Sequence, residues 1–356
     1  MLNGLDSLGE VAPEIVVKPF AGWHRRSERT RGNQLQAGPV AHSVLPRPLL
    51  YESWLRLKRP SVEALVEGPI DVVWAAGLVP PPSSSPVVAS VHDVGFLENT
   101  ERLSRRGRGF FPRVWKVIQD DVAIMVCPSQ VVAADLRRHG IDDDRLRVVP
   151  LGVGAPLTKP GEEHELIRPF NLPPTFALWV GTVEPRKNLG RLVEAMTTID
   201  DLPLVVVGPV GWNESEDDLL APLKGRVHRL GTVEDRTLSA LYRAATVFVF
   251  PSLLEGFGLP VIEAMAHGTP VVTGADTACA EVADGAAILV DVYDPAAIAT
   301  GIESVVNSQA QLETMRVQGL QRAKQLTWEK AAEGYLGVFA EAAGFANGQP
   351  SGGGEG

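Results

Sequence analysis

The chain has 356 residues, 45% of them hydrophobic and 21% charged, which excludes a largely disordered protein and favours two domains over one. Its two cysteines, Cys127 and Cys279, exclude a disulfide framework and show no metal-ligand spacing. A net charge of −10 argues against general nucleic-acid binding, and no apolar run reaches the length of a membrane span. Residues 1 to 20 lack the charged start and apolar core of a secretory signal, so the expectation is a cytoplasmic protein.

In chain order, the first half alternates short β-branched runs with longer mixed segments: EIVVKPF (14–20), DVVWAA (71–76), PVVASVHD (86–93), DVAIMVCPS (121–129) and RLRVVPLG (145–152). Runs this short and apolar on both faces suit buried parallel strands. Between 101 and 118, Arg102, Arg105, Arg106, Arg108, Arg113 and Lys116 interleave with Phe110, Phe111 and Trp115. That segment reads equally as a solvated helix with its apolar side in the core, or as a site for an anionic acceptor or a membrane surface, with Arg105, Arg106 and Arg108 as candidates. PPPSSSP (80–86) reads as a turn outside the fold.

Residues 155–174 carry prolines and an acidic cluster without apolar periodicity and are expected to link a first domain (1–154) to a second (175–327). The second half repeats the α/β scheme with FALWVG (176–181), PLVVVG (203–208), RVHRLG (226–231), TVFVFPS (246–252), PVVTG (270–274) and AAILVD (286–291). Two doubly wound α/β domains follow. A final helix over 328–346 carries an apolar stripe of Trp328, Ala331, Ala332, Tyr335, Leu336 and Phe339, and the tail 347–356 reads as disordered.

Neither half offers G-x-G-x-x-G after a first strand or G-x-x-x-x-G-K-[ST]. GTVEPRKN (181–188) instead ends a buried strand at Gly181 and sets Arg186 and Lys187 in the turn before a helix, where two cations suit a diphosphate. In PSLLEGFGLPVIEAMAHGTPVV (251–272), Gly256 and Gly258 permit close backbone approach, and Glu255 and Glu263 form an E-x7-E pair with seven residues between them. Carboxylates accept paired hydrogen bonds from vicinal hydroxyls, so this pair suits a ribose and a hexose on either side of a diphosphate.

GTVEPRKN, LVVVGPVGW (204–212), HRLGTVEDRTLSALYRAA (228–245) and EGFGLPVIEAMAHGTPVVTG (255–274) closely resemble the retaining GT-B glycosyltransferases of family four, many of them mannosyltransferases and glucosyltransferases. DVVWAAGLVP, PVVASVHDVGF and CPSQVVAADLRRHGIDDDRLRVVPLGV extend the resemblance over roughly residues 60 to 340. It implies two Rossmann-like domains facing across a cleft, the last helix returning to the first domain, and transfer of a hexose from a nucleotide diphosphate sugar, GDP-mannose or UDP-hexose, to a glycan or lipid-linked acceptor. No cofactor or bound metal is implied, and peripheral contact with the inner membrane surface is. By position, Glu263 would bind the ribose, Glu255 the donor sugar, and the amides of Phe257, Gly258 and Leu259 the distal phosphate and sugar. Arg186 and Lys187, beside Gly181 and Thr182, would neutralise the leaving diphosphate, and His92 would face the donor sugar. Thr182 stands where family members often carry Arg. EIVVKPF looks like the family's second strand, so the first domain is expected to lack its first. A non-catalytic relative that binds sugar nucleotides or glycans is the alternative.

Overall fold

A computed structural model describes residues 16–23, 41–77, 79–98, 105–211 and 216–344. The tail 347–356 and the end of the expected last segment lie outside the described residues. The chain forms two compact units, one comprising residues 1–152 and 328–356 and the other Val153–Thr327.

In the first unit, Phe20–Trp23 (β1) and Ala41–Pro46 (β2) form a two-stranded parallel sheet. Val73–Ala75 (β3), Val87–Ser90 (β4), Ile124–Cys127 (β5) and Leu146–Val148 (β6) form a parallel sheet in the order β3-β4-β5-β6. The accompanying helices are Arg47–Leu57 (α1), Gly95–Glu98 (α2), Arg105–Asp121 (α3) and Gln130–Arg138 (α4). Apolar runs, ending at Ser90 in β4, form β4 and β5, both buried along their whole length, as parallel strands covered on two faces must be. The strand expected at 14–20 begins, over its described part, only at its last residue, Phe20. Residues 16–19 carry no ladder, Val16 is 77% exposed, and Lys18 Nζ donates instead to the carbonyl of Glu67 at 2.9 Å. Pairing starts only at Phe20, whose ring packs edge-on against Trp54 of α1 with centroids 6.2 Å apart. Among the described residues, no strand pairs with the outer edge of β3.

The proline- and serine-rich turn at 80–86 is part of this unit's fold. Glu63 Oε1 accepts hydrogen bonds from Ser83 Oγ at 2.6 Å, Ser84 N at 2.9 Å and Ser84 Oγ at 3.0 Å. Composition alone hides such an anchor, because the acceptor lies twenty residues upstream.

The second unit begins with Glu163–Ile167 (α5), so residues 155–174 belong to it. There the amide of Leu157 donates to Ser239 Oγ at 3.1 Å, and α5 packs on Asp235–Ala244 (α8). The acidic residues lend this stretch a linker-like composition, yet Glu162 faces Arg236 at 3.5 Å. Six parallel strands follow: Ala177–Val180 (β7), Leu204–Val207 (β8), Val227–Gly231 (β9), Val247–Phe250 (β10), Val271–Gly274 (β11) and Ile288–Val290 (β12). Leu189–Thr197 (α6), Glu216–Leu220 (α7), Leu259–Ala266 (α9), Ala278–Ala283 (α10), Pro295–Val306 (α11) and Gln309–Ala323 (α12) complete the unit.

Its sheet runs β12-β11-β10-β7-β8-β9. The chain therefore leaves β7 towards one edge and returns at β10 to fill the other half. The carboxyl ends of β7 and β10 lie side by side where the winding reverses, the position at which open parallel sheets bind ligands.

The loop after β7 is clamped to the loop after β8. Gly181 N donates to the Val207 carbonyl, Val183 N to the Pro209 carbonyl and Gly211 N to the Val183 carbonyl, at 2.9, 3.0 and 3.1 Å. Gly208 makes this possible: its φ is +134°, and a Cβ there would lie 2.0 Å from the Gly181 carbonyl oxygen. Backbone against backbone cannot yield as a side-chain tip would.

The last helix, Trp328–Ala342 (α13), lies on β4 and β5 within the first unit. Tyr335 and Val338 join Val88, Ile124, Val126 and Val149 in one apolar cluster, and the hydroxyls of Tyr335 and Ser90 lie 2.8 Å apart. A stripe at helical spacing thus has a sheet face to cover.

Gly208→Ala is expected to lower stability by about 1–3 kcal/mol, because the added methyl forces the two loops apart. Urea unfolding measures it, and an unchanged midpoint contradicts the close approach.

Candidate functional site

Lys187 is brought to its place by a short 3-10 turn, Pro185–Lys187, between β7 and α6. Proline presets the turn and Asn188 closes it in the left-handed region at φ +57°. Asn188 is buried, and its Nδ2 donates to the carbonyls of Pro251 at 3.0 Å and Val292 at 2.8 Å. One amide group therefore ties the loops after β7, β10 and β12 together. A neighbouring glycine keeps the ground clear: a Cβ at Gly211 would lie 2.3 Å from the Val183 carbonyl oxygen and 2.9 Å from the Thr182 methyl.

Sixty-eight residues later, Glu255 follows β10 and meets these cations. Lys187 Nζ donates to Glu255 Oε1 at 2.6 Å, with both side chains about nine-tenths buried, and lies 4.8 Å from the centre of the Phe250 ring. Ser252, itself buried, has its hydroxyl 2.6 Å from the same carboxylate oxygen and 3.0 Å from the Arg186 carbonyl. Arg186 Nη1 stands 3.5 Å from Glu255 Oε2, and its Nε lies 2.5 Å from the buried Glu184 carboxylate as an ion contact without hydrogen-bond alignment. The two cations are thus already balanced by two carboxylates. Breaking such a pair from one side leaves a buried charge and costs roughly 3–5 kcal/mol.

Helix α9 begins beside this cluster. Gly258 is its N-cap at φ +101°, Pro260 occupies the first turn, and a Cβ at Gly258 would lie 2.7 Å from Cys279 Sγ. The Phe257 ring is buried and fixes the loop, while Gly256 precedes it. The first amides of any helix lack intrahelical partners, so Gly258 and Leu259 offer an anion their N–H groups. Burial pushes the Cys279 thiol up to about 12, so it stays protonated under the loop.

Glu263, in the second turn of α9, accepts a hydrogen bond from the Tyr242 hydroxyl at 3.0 Å. Burial raises its carboxyl above the ordinary range, the Tyr242 hydroxyl works against that, and Asp235 adds to the rise.

In the first unit, His92 follows β4. Its Nε2 is buried without a hydrogen-bond partner among the described residues, and burial lowers the imidazole below its ordinary value despite Asp93 beside it. Asp93 Oδ1 accepts from Gly95 N at 3.0 Å and so caps the next turn. Along α3, Arg108 is exposed, whereas the side chains of Arg105 and Arg106 lie outside the described residues. Arg113 is taken by Glu52 at 2.9 and 3.0 Å and Lys116 by Asp120 at 2.9 Å. Phe110 packs on the first unit's core, and Phe111 pairs with Phe96 at 5.3 Å. Among the described residues no helix is long and apolar enough to cross a membrane.

The structure thus gathers Arg186, Lys187, Glu255 and the start of α9 at one place, with Glu263 one turn further along α9. Sequence reasoning missed Asn188, Ser252, Glu184 and Tyr242. An asparagine before a helix was a visible cue for the first; the others become legible only through partners far off in the chain.

Two family models match, "Glycosyl transferases group 1" over residues 162–322 and "Glycosyltransferase Family 4" over residues 15–155. D-inositol 3-phosphate glycosyltransferase 1 of Catenulispora acidiphila is 30% identical over 88% of this chain and 81% of its own. The chain belongs to glycosyltransferase family four. O-antigen chain mannosyltransferase B of Escherichia coli is 41% identical over 46% of this chain and 45% of its own length. This family-four chain spans about half the length of the first curated relatives it matches. The crystal structure of Anabaena HepE in complex with UDP and glucose superposes with a TM-score of 0.72 and 16% identity, covering 95% of this chain and 96% of that one, and shows the same GT-B fold.

Because burial disfavours the charged imidazole and outweighs Asp93 beside it, the His92 ring is expected to titrate below the ordinary histidine value of 6.5. Its NMR resonances should show a neutral ring at pH 7, and a midpoint above 6.5 would contradict the burial.

Proposed function

We propose that this glycosyltransferase moves a hexose from a nucleoside diphosphate sugar, GDP-mannose or UDP-hexose, to a glycan or lipid-linked acceptor with retention of configuration. The observation that carries the reading is the meeting of Lys187 and Arg186 with Glu255 at the reversal point of the sheet, in the loop that leads into α9. The mannosyltransferase relative and the UDP-bound structural neighbour support the donor class.

In this reading the donor diphosphate takes Lys187 and Arg186 as its cations and the amides of Phe257 to Leu259 as its hydrogen-bond donors. Glu255, released from Lys187, accepts hydroxyls of the sugar, and Glu263 accepts those of the ribose. The bond from the anomeric carbon to the phosphate oxygen breaks, and its electron pair stays on that oxygen. The acceptor hydroxyl bonds to the anomeric carbon from the same face and passes its proton to the departing phosphate. Fixed cations stabilise the charge that develops, the largest electrostatic service such a site can render. His92, neutral and with Nε2 uncommitted, contributes a dipole rather than a base.

Lys187→Ala is expected to lower transfer by about 10²–10³. It is also expected to lower stability, since it strands Glu255, so turnover is compared at a temperature where both proteins are folded. Near wild-type turnover contradicts the assignment. With protein cations on the diphosphate, transfer of mannose or glucose survives EDTA; complete loss restored by Mn²⁺ or Mg²⁺ contradicts it. Binding without transfer or hydrolysis would point to an accessory protein.

The two carboxylates separate kinetically. Glu263, rigid in a helix, contacts ground and transition state alike, so Glu263→Gln mainly raises the donor Michaelis constant. Glu255→Gln mainly lowers turnover, about tenfold for each 1.4 kcal/mol lost. The reverse pattern exchanges the roles.

A further inference from the structure

The carboxylate of Glu263 is held from another helix. Tyr242, on α8, is 1% exposed, and its hydroxyl donates to Glu263 Oε2 at 3.0 Å. The Tyr242 ring is clamped on two sides. Phe248 meets it edge-on with centroids 5.4 Å apart, and His267 stacks on it at 5.4 Å with 26° between the planes.

His267 is fixed in turn. Its Nδ1 lies 2.7 Å from the Glu263 backbone carbonyl and its Nε2 lies 2.7 Å from Ser239 Oγ. A carbonyl can only accept, so Nδ1 carries the proton and Nε2 accepts the Ser239 hydroxyl. Ser239 Oγ then accepts from the Thr158 hydroxyl at 2.9 Å and from the Leu157 amide at 3.1 Å. With a neutral imidazole, the amide of Leu157 and the side chains of Thr158, Ser239 and His267 each have a partner in this series. A buried aromatic ring locked in this way leaves its hydroxyl one position to occupy.

We propose that Tyr242 is a positioning residue for nucleotide recognition, its hydroxyl fixing the Glu263 carboxylate in the orientation that receives the ribose hydroxyls. The proposal rests on the reading of Glu263 as the ribose contact. Tyr242 does not touch the donor. It removes the rotameric freedom that Glu263 would otherwise lose on binding, and so raises affinity only for ligands that carry the hydroxyls.

That restriction supplies the test. Dissociation constants for UDP, GDP and their 2′,3′-dideoxy counterparts are measured by calorimetry on the full chain and on Tyr242→Phe and Glu263→Gln. Phenylalanine keeps the stack on His267 and the edge contact with Phe248, and the thermal midpoint of each variant checks its fold. Wild type is expected to prefer the ribonucleotide over its dideoxy form. Tyr242→Phe should lose roughly tenfold in ribonucleotide affinity and leave dideoxy affinity unchanged. Glu263→Gln should lose the same preference. Equal weakening towards both nucleotide forms would make Tyr242 a merely structural residue and overturn the proposal. Full preference in Tyr242→Phe with loss in Glu263→Gln would overturn it too, leaving the ribose reading intact. Full preference in both variants, or no nucleotide binding by wild type, would remove the ribose reading and the proposal with it.

Discussion

The contact between Lys187 and Glu255 is the constraint around which the second unit's site is arranged. It exists because β7 and β10 are parallel neighbours in the sheet although 66 residues of chain (181–246) lie between them. Each loop reinforces the other: Leu253 N donates to the Arg186 carbonyl at 2.8 Å, and Asn188 reaches Pro251. An ion pair with both partners largely buried adds little net stability, since desolvation offsets attraction. What it does is fix positions. Lysine and carboxylate hold one another, and both loops, in register before any substrate arrives.

That balance also shapes the energetics of binding. In the proposed reading, a diphosphate entering the cluster would take over a charge interaction already present, so no isolated buried cation has to be maintained in its absence. Glu255, freed by that exchange, would then face hydroxyl groups instead of an ammonium. Above the cluster, the left-handed Gly258 lets the backbone pass against Cys279, where any side chain would collide with sulfur. Glycines stand where these loops would otherwise collide, Gly208 against the Gly181 carbonyl, Gly211 against the Val183 carbonyl and Gly258 against Cys279.

Much of this was legible in the sequence. Short, largely apolar runs such as TVFVFPS and FALWVG announced parallel strands, since few other structures bury nearly all of so short a segment. The cation turn and the loop that carries Glu255 were both visible as motifs, and the structure brings them together. The N-terminal region was less readable: EIVVKPF has a strand's composition, but Val16 finds no apolar partner and pairing starts at Phe20. Residues 155–174 and 80–86 looked like loose connections because their partners, Ser239 and Glu63, lie elsewhere in the chain. Distance in sequence also hid the fact that Glu255 holds Lys187, and that Tyr242 holds Glu263. Residue types were visible, while pairings depended on the sheet order.

The most direct test is a crystal structure of the protein with a nucleoside diphosphate, UDP or GDP, bound. The account predicts the distal phosphate on Lys187 Nζ, with Arg186 and the first amides of α9 around it and Glu255 turned away from the lysine. A diphosphate bound elsewhere, with Lys187 and Glu255 still paired as they are here, would contradict it.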